Sequence, residues 1–130
     1  MHTVPLLCTA VLGLLVFGLG FAISALRFRA SHLIGYPDDP TNLLHKVVRA
    51  HGNTTEYAPF LAVLFLYAGA HSPSPLALGL VVAATLARVL VVVGLVAWPR
   101  LDRPNPVRFV GALTTYLAGV ALCVVVASGV

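Results

Sequence analysis

Three polar side chains near the middle of the chain have the types and spacing of a binding site. Arg49, Asn53 and Glu56 are separated by four and then three residues, so they project from one face of a helix. Asn42 and Lys46 extend the same stripe toward the N-terminus. Arginine is suited to binding a carboxylate through two parallel hydrogen bonds. The stripe is therefore a candidate ligand site.

The chain around this stripe has the composition of a membrane protein. Residues 58–66 read APFLAVLFL, and the 130 residues as a whole are 59% hydrophobic and 9% charged. A soluble domain carries about 25% charged residues. Because an ionisable group that enters a membrane span costs a few kcal/mol or more, the polar stripe calls for a functional explanation. The composition predicts an integral membrane protein.

Four apolar stretches predict an all-α bundle of four transmembrane helices, which form a single domain over residues 1–130. The helices are expected at about residues 4–26, 40–70, 76–98 and 107–129. The second helix is expected to begin at Pro40, because Asp39 can cap a helix and proline is favoured at the first helical position. The first is interpreted as a retained span, because Met1-His2-Thr3 has no positive charge and the apolar run is long for a signal peptide.

The distribution of cations predicts the topology. The first and third loop regions contain the basic residues, and the second, residues 71–75, contains no Lys or Arg. By the positive-inside rule, loops 1 and 3 are cytoplasmic and both termini lie outside. The net charge of +4 then reflects topology and anion binding and does not require nucleic acid. The basic residues are Arg27, Arg29, Lys46 and Arg49 in the first region and Arg100, Arg103 and Arg108 in the third.

No metal site is predicted. His45, His51 and His71 have no partner four residues on that would complete one, and Cys8 and Cys123 lack a metal-binding spacing. The cysteines are interpreted as small packing residues. His51, which lies inside the polar segment, is kept as a candidate for the wall of a ligand cavity.

Arg88 is a second anomaly, because it lies about twelve residues into the third helix. An arginine at that depth needs an anionic or hydrogen-bonding partner. One hypothesis is a structural pair with Glu56, the carboxylate on the second helix. The other hypothesis is a ligand site that contains Arg49, Asn53 and Arg108 in addition to Arg88. Such a site has more cations than one carboxylate can neutralise. That surplus favours an anionic ligand.

The fourth helix carries small residues at every fourth position, a pattern that lets another helix approach closely in lipid. Whether the partner helix belongs to the same subunit or to a neighbour is left open. The residues are Gly111, Thr115, Gly119, Cys123 and Ala127.

Residues 49–59, RAHGNTTEYAP, resemble the R-A-x-x-N-x-x-E-Y-x-P signature of the MAPEG family, the membrane-associated proteins in eicosanoid and glutathione metabolism. Ala87-Arg88, Gly94 and the segment 108–111 with Thr114 are similar to its bacterial branch. The resemblance implies a homotrimer in a bacterial inner membrane. It also implies glutathione as co-substrate, bound between subunits and open to the cytoplasmic side, and a lipophilic small molecule as the second ligand.

The resemblance assigns roles to individual residues. Arg108 matches the arginine that stabilises the glutathione thiolate in catalytic members, since a nearby cation lowers a thiol pKa. One of Arg27 and Arg29 matches an arginine at the end of the first helix. The expected glutathione-binding residues are Arg27 or Arg29, Arg49, His51, Asn53, Glu56, Tyr57 and Arg88.

Two functional classes stay open. One is a glutathione S-transferase or glutathione peroxidase acting on lipophilic electrophiles or hydroperoxides. The other is a non-catalytic scaffold that binds lipid or another ligand, because Val91 and Leu95 stand where catalytic members of the eicosanoid branch have tyrosines. A small four-helix multidrug transporter is a weaker hypothesis, because it would be expected to have a glutamate in the first helix, which has no acidic residue.

Overall fold

The computed structural model describes residues 2–129, and these residues form four α-helices. Three of them, α1, α3 and α4, are long and apolar enough to cross a membrane. The all-helical prediction is confirmed, and the three apolar helices support an integral membrane protein. That α2, which carries the polar stripe, is a fourth span stays a prediction. The helices are α1 (Thr3–Arg29), α2 (Leu43–Ala70), α3 (Pro75–Ala97) and α4 (Pro106–Ala127).

The predicted start of the second helix is wrong. The helix begins at Leu43 and its N-cap is Asn42, whose side-chain oxygen accepts hydrogen bonds from the backbone amides two and three residues further on. The carboxylate of Asp39 does accept the backbone amide and the hydroxyl of Thr41 at 2.8 Å, but it caps only a single turn, because the backbone of Asn42 is extended (φ −68°, ψ 131°) and separates that turn from the helix. Asp39 and Pro40 therefore belong to a turn before the helix.

The predicted end of the fourth helix at residue 129 is too late. The helix ends at Ala127, and the backbone amide of Ser128 closes the last turn by donating to the carbonyl of Val124 at 3.0 Å. Gly129 has a φ of +93°, a left-handed conformation that glycine adopts readily at the C-terminal end of a helix.

The core lies where the four helices meet, but the helix pairs differ in how they pack. Helix α3 packs most extensively against α4, and α1 against α2, whereas α2 and α4 share the smallest interface. The main cluster of buried apolar side chains takes residues from every helix, among them Leu12, Phe65, Val81 and Leu122. The weak α2–α4 interface leaves space beside this core.

The outward face of α1 presents large apolar side chains to the surroundings. Phe17, Phe21 and Phe28 are 79%, 76% and 88% exposed. Surfaces of this kind are rare on soluble monomers and mark contact with lipid or with another protein. The helix therefore has the exterior expected of a membrane span.

The loop regions rich in cations come together at one end of the bundle. The backbone amide of Leu101, in the connection between α3 and α4, donates to the carbonyl of Pro40 at 3.0 Å, which joins it to the connection between α1 and α2. At the opposite end the amide of His2 donates to the carbonyl of Gly69 at 2.8 Å. The clustering agrees with the predicted topology, while the side of the membrane to which this end points stays a prediction.

Candidate functional site

The polar stripe of α2 borders a small pocket of about 210 Å³, called here the polar pocket. Five of its six lining residues lie on α2, and Arg49 and Glu56 are exposed there. The spacing thus places Arg49, Asn53 and Glu56 around one cavity, as a binding site requires, whereas Lys46 is buried and lies outside it. The lining residues are Tyr36, Val48, Arg49, Gly52, Asn53 and Glu56.

Arg88 lies directly behind this pocket and is bound to Asn53. Its side chain is buried, and its Nη2 donates to Asn53 Oδ1 at 2.8 Å and to the Asn53 carbonyl at 3.2 Å. Its Cζ lies 5.1 Å from the centre of the Tyr57 ring, within cation–π range. Its Nε is buried and has no hydrogen-bond partner among residues 2–129.

The hypothesised structural pair between Glu56 and Arg88 does not form. Within residues 2–129 the only ion pair with a nitrogen–oxygen distance under 4 Å is Arg100–Asp102, on the surface at 2.8 Å. Asn53 takes the position of partner because it faces α3, whereas Glu56, one turn further along, is exposed. The buried guanidinium is therefore held by a neutral amide and not by a carboxylate.

A second cavity, called here the α2–α4 cavity, lies in the weakly packed region between those helices. Its volume is about 350 Å³. The rings of Tyr57 and Tyr116 lie 5.8 Å apart on its wall. Glu56 lines both this cavity and the polar pocket. The wall consists of Glu56, Tyr57, Phe60, Leu61, Leu64, Thr115, Tyr116, Gly119, Val120 and Cys123.

Three other expected site residues lie outside both cavities. His51 faces α1, where a Cβ added to Gly20 would be 3.5 Å from its Nε2. Arg27 is engaged in a loop contact, because its Nε and Nη2 donate to the Gly35 carbonyl at 3.2 and 3.1 Å. Arg29 is exposed at the end of α1. The expected role of these residues in ligand binding stays a prediction.

Arg108, the expected catalytic residue, is exposed in the first turn of α4. Its backbone amide donates to Asn105 Oδ1 at 2.9 Å, which caps the helix. Neither cavity includes it within one subunit. Its expected catalytic role stays a prediction.

Two tyrosines of the cavities escaped the sequence analysis. Tyr36 precedes the helix by several residues and belongs to no motif, and Tyr116 reads as an ordinary aromatic residue of an apolar helix. Only the folding of the loop and the approach of α4 bring them to the site. Among residues 2–129, no group of three or more His, Cys, Asp or Glu side chains is placed to hold a metal ion.

Comparison with known proteins identifies the family. The profile of the MAPEG family matches residues 5–128, from the first turn of α1 to just beyond the end of α4. No characterised protein and no solved structure matches the chain. The match confirms the resemblance carried by residues 49–59 and supports a membrane-associated function of the glutathione or eicosanoid type. The chain belongs to the MAPEG family.

Proposed function

We propose that the protein is a membrane-bound glutathione-dependent transferase or peroxidase that acts on lipophilic electrophiles or hydroperoxides. The observation that carries the proposal is the position of Glu56, which borders both the polar pocket and the apolar α2–α4 cavity. A water-soluble thiol and a lipid-soluble partner can then meet at one point of the protein surface. Membership in the MAPEG family supports the same conclusion.

The polar pocket has the groups that glutathione needs. The tripeptide carries two carboxylates and one ammonium group, and Arg49 is suited to one carboxylate while Glu56 is suited to the ammonium. Asn53 contributes a directed amide. Since a guanidinium can only donate, Arg88 fixes the Asn53 oxygen toward itself and leaves the amide NH₂ to donate elsewhere. Arg88 thus positions Asn53 in the pocket.

The α2–α4 cavity suits a lipophilic second substrate. Its volume of about 350 Å³ lies in the usual range for small-molecule sites, which are mostly apolar with a few directed polar groups. Here the apolar wall is formed by Phe60, Leu61 and Val120, and the polar groups are those of Glu56 and Tyr116. A substrate dissolved in the membrane would place its reactive end near Glu56.

In the proposed reaction, the glutathione thiolate is the nucleophile. In a transferase, a bond forms between sulfur and an electrophilic carbon while the displaced electron pair leaves with a leaving group or moves to a conjugated oxygen. In a peroxidase, two thiols are oxidised to one disulfide while a hydroperoxide is reduced to an alcohol and water. Arg108 of an adjacent subunit is proposed to stabilise the thiolate, which makes a homotrimer part of the proposal.

A non-catalytic ligand-binding scaffold is the second candidate, and one observation favours it. Val91 and Leu95, which replace the tyrosines of catalytic relatives, are buried in a core cluster with Ala50. That part of the site therefore offers no hydroxyl groups to a ligand. In a scaffold, the Arg88–Asn53 contact would serve mainly to join α2 to α3.

Glutathione titration and turnover measurements on the purified protein in mild detergent test the proposal. We expect saturable binding, and we expect Arg49→Ala to weaken it roughly tenfold or more, because a charged contact is lost. Arg103→Ala is the matched control, since it removes an exposed cation from the same end of the bundle, outside the polar pocket and outside the expected glutathione-binding residues. Its affinity should stay close to that of the wild type.

Turnover separates the enzyme from the scaffold. We expect Arg108→Ala to abolish conjugation or peroxide reduction and to leave glutathione affinity within a few fold, because the lost contact is with the reacting sulfur. Binding without turnover across electrophiles and hydroperoxides would favour the scaffold. Absence of glutathione binding would overturn the proposal, as would native mass measurement of a monomer that retains full activity.

A further inference from the structure

One wall of the polar pocket does not come from α2. Its other five lining residues occupy one face of that helix, and Tyr36 closes the pocket from the connection between α1 and α2. Without Tyr36 the stripe would be an open helix surface. We propose that Tyr36 is a further binding residue for the thiol ligand and that His45 is a positioning residue that holds its ring in place. The inference rests on the proposed function and adds a residue to the same site.

A stacked contact fixes the Tyr36 ring. The ring centres of Tyr36 and His45 lie 4.3 Å apart and the ring planes are inclined by 27°. His45 is on α2, one turn before Arg49, and its Nδ1 lies 3.1 Å from the carbonyl oxygen of Asp39. The histidine therefore contacts the loop twice and ties it to the helix that carries the ligand-binding side chains.

The residues next to Tyr36 are also fixed. Gly35 has a φ of +72°, a left-handed conformation that glycine adopts without steric cost. Both Nε and Nη2 of Arg27 donate to the Gly35 carbonyl. The carbonyl of Pro40 accepts the amide of Leu101 at 3.0 Å. Arg27 thus acts on the pocket by holding the loop that carries Tyr36.

The Tyr36 side chain is available to a ligand. It is 39% exposed, and its hydroxyl makes no hydrogen bond within residues 2–129. Its ring is placed to pack against the peptide planes of an extended tripeptide that Arg49 and Glu56 hold by the two ends. Aromatic contacts of this kind contribute directly to affinity because the ring is already immobilised before binding.

The chain contains a matched stack that faces no polar pocket. Tyr67 and His71, at the other end of α2, have ring centres 4.1 Å apart and planes inclined by 21°. His71 Nδ1 lies 2.8 Å from the Tyr67 carbonyl oxygen, so this histidine also has a backbone contact. Breaking this stack controls for the loss of a Tyr–His contact as such.

The test is calorimetric titration of the full-length protein in detergent with glutathione. Tyr36→Ala and His45→Ala should each weaken binding about three- to tenfold. His45→Phe keeps an aromatic partner and should restore affinity to near the wild-type value. Tyr36→Phe reports the share of the hydroxyl, and Tyr36→Leu keeps bulk without a flat ring and should resemble Tyr36→Ala. His71→Ala should leave affinity unchanged.

Three results would overturn the inference. The first is wild-type affinity in both Tyr36→Ala and Tyr36→Leu, and the second is an equal loss of affinity in His71→Ala and His45→Ala. The third is a failure of His45→Phe to restore binding when its thermal unfolding matches the wild type. A wild-type protein that binds no glutathione would instead overturn the proposed function, and this inference with it.

Discussion

The two sides of α4 are packed in different ways. Against α3 the backbones almost touch: a Cβ added to Gly111 would lie 2.8 Å from Val91 Cγ2 and 2.9 Å from the Ala87 carbonyl. Against α2 the contact is loose, because a Cβ added to Gly119 would have Leu61 Cδ2, at 4.0 Å, as its nearest neighbour. One helix therefore forms a close-packed interface on one side and the wall of the 350 Å³ cavity on the other.

This difference separates a structural interface from a candidate site. In lipid, apolar helices associate through close van der Waals contact, which small residues permit. A space left between helices gives up such contacts, since protein interiors are otherwise densely packed. The helices that line the α2–α4 cavity therefore lack van der Waals contacts that close packing would give. Contacts with a bound ligand can replace them. The small residues of α4 predicted close helix contact, and within one subunit Gly111 has such a contact and Gly119 does not.

The largest loss of stability should come from breaking the Arg88–Asn53 contact between α3 and α2. This change does not alter the cavity between α2 and α4. Asn53→Leu removes the side-chain acceptor of the buried Arg88 guanidinium and leaves it only the Asn53 backbone carbonyl at 3.2 Å, so the free energy of unfolding should fall by about 3 kcal/mol. Chemical denaturation in mild detergent, monitored by circular dichroism, measures this loss of stability.

Two variants of the same contact act as controls. Arg88→Met removes the cation along with its need for a partner, so it should cost clearly less than Asn53→Leu. Asn53→Asp keeps an acceptor facing Arg88 and should remain folded. If Asn53→Leu proves as stable as the wild type, the Arg88–Asn53 contact does not hold α2 in place.

The next largest effect tests the two sides of α4 directly. Gly111→Ala inserts a methyl group against Val91 and the Ala87 backbone, so the free energy of unfolding should fall by about 1–3 kcal/mol. Gly119→Ala adds the same methyl group where the nearest atom is 4.0 Å away and should not destabilise the protein. Both variants gain the same intrinsic helix propensity, so their difference isolates packing. Equal unfolding curves would show that the two sides of α4 do not differ.

Hydropathy and spacing were enough to predict the helical class and the face that carries Arg49, Asn53 and Glu56. These are local properties: an apolar run fixes a helix, and a separation of three or four residues fixes a common face. The specific signature around them also identified the family, which the profile match confirms. None of these inferences needed to know which helices are neighbours.

Inferences that depended on neighbours were less successful. The partner of Arg88 is 35 residues away in sequence, and charge alone favoured Glu56 where the structure has Asn53. Asp39 looked like the cap of the second helix, but it caps only a single turn, because Asn42 is extended and starts the helix itself. Tyr36 reaches the polar pocket only because its loop folds back on α2. Sequence spacing carries no information on which distant groups the fold brings together.

The smallest effect, a difference in labelling rate, tests whether the α2–α4 cavity is open. Cys123 is exposed on the wall of that cavity, whereas Cys8 is half-buried and packs against the main core cluster. A lipophilic maleimide should therefore label Cys123 faster than Cys8, as measured by peptide mass analysis of briefly treated protein. A lipophilic electrophile bound in the cavity should slow only the Cys123 reaction. Gly119→Leu, which fills the cavity beside Cys123, should do the same without any ligand. Equal rates at the two cysteines, unaffected by filling, would mean that the space beside α4 is closed in the assembled protein and that α4 is packed alike on both sides.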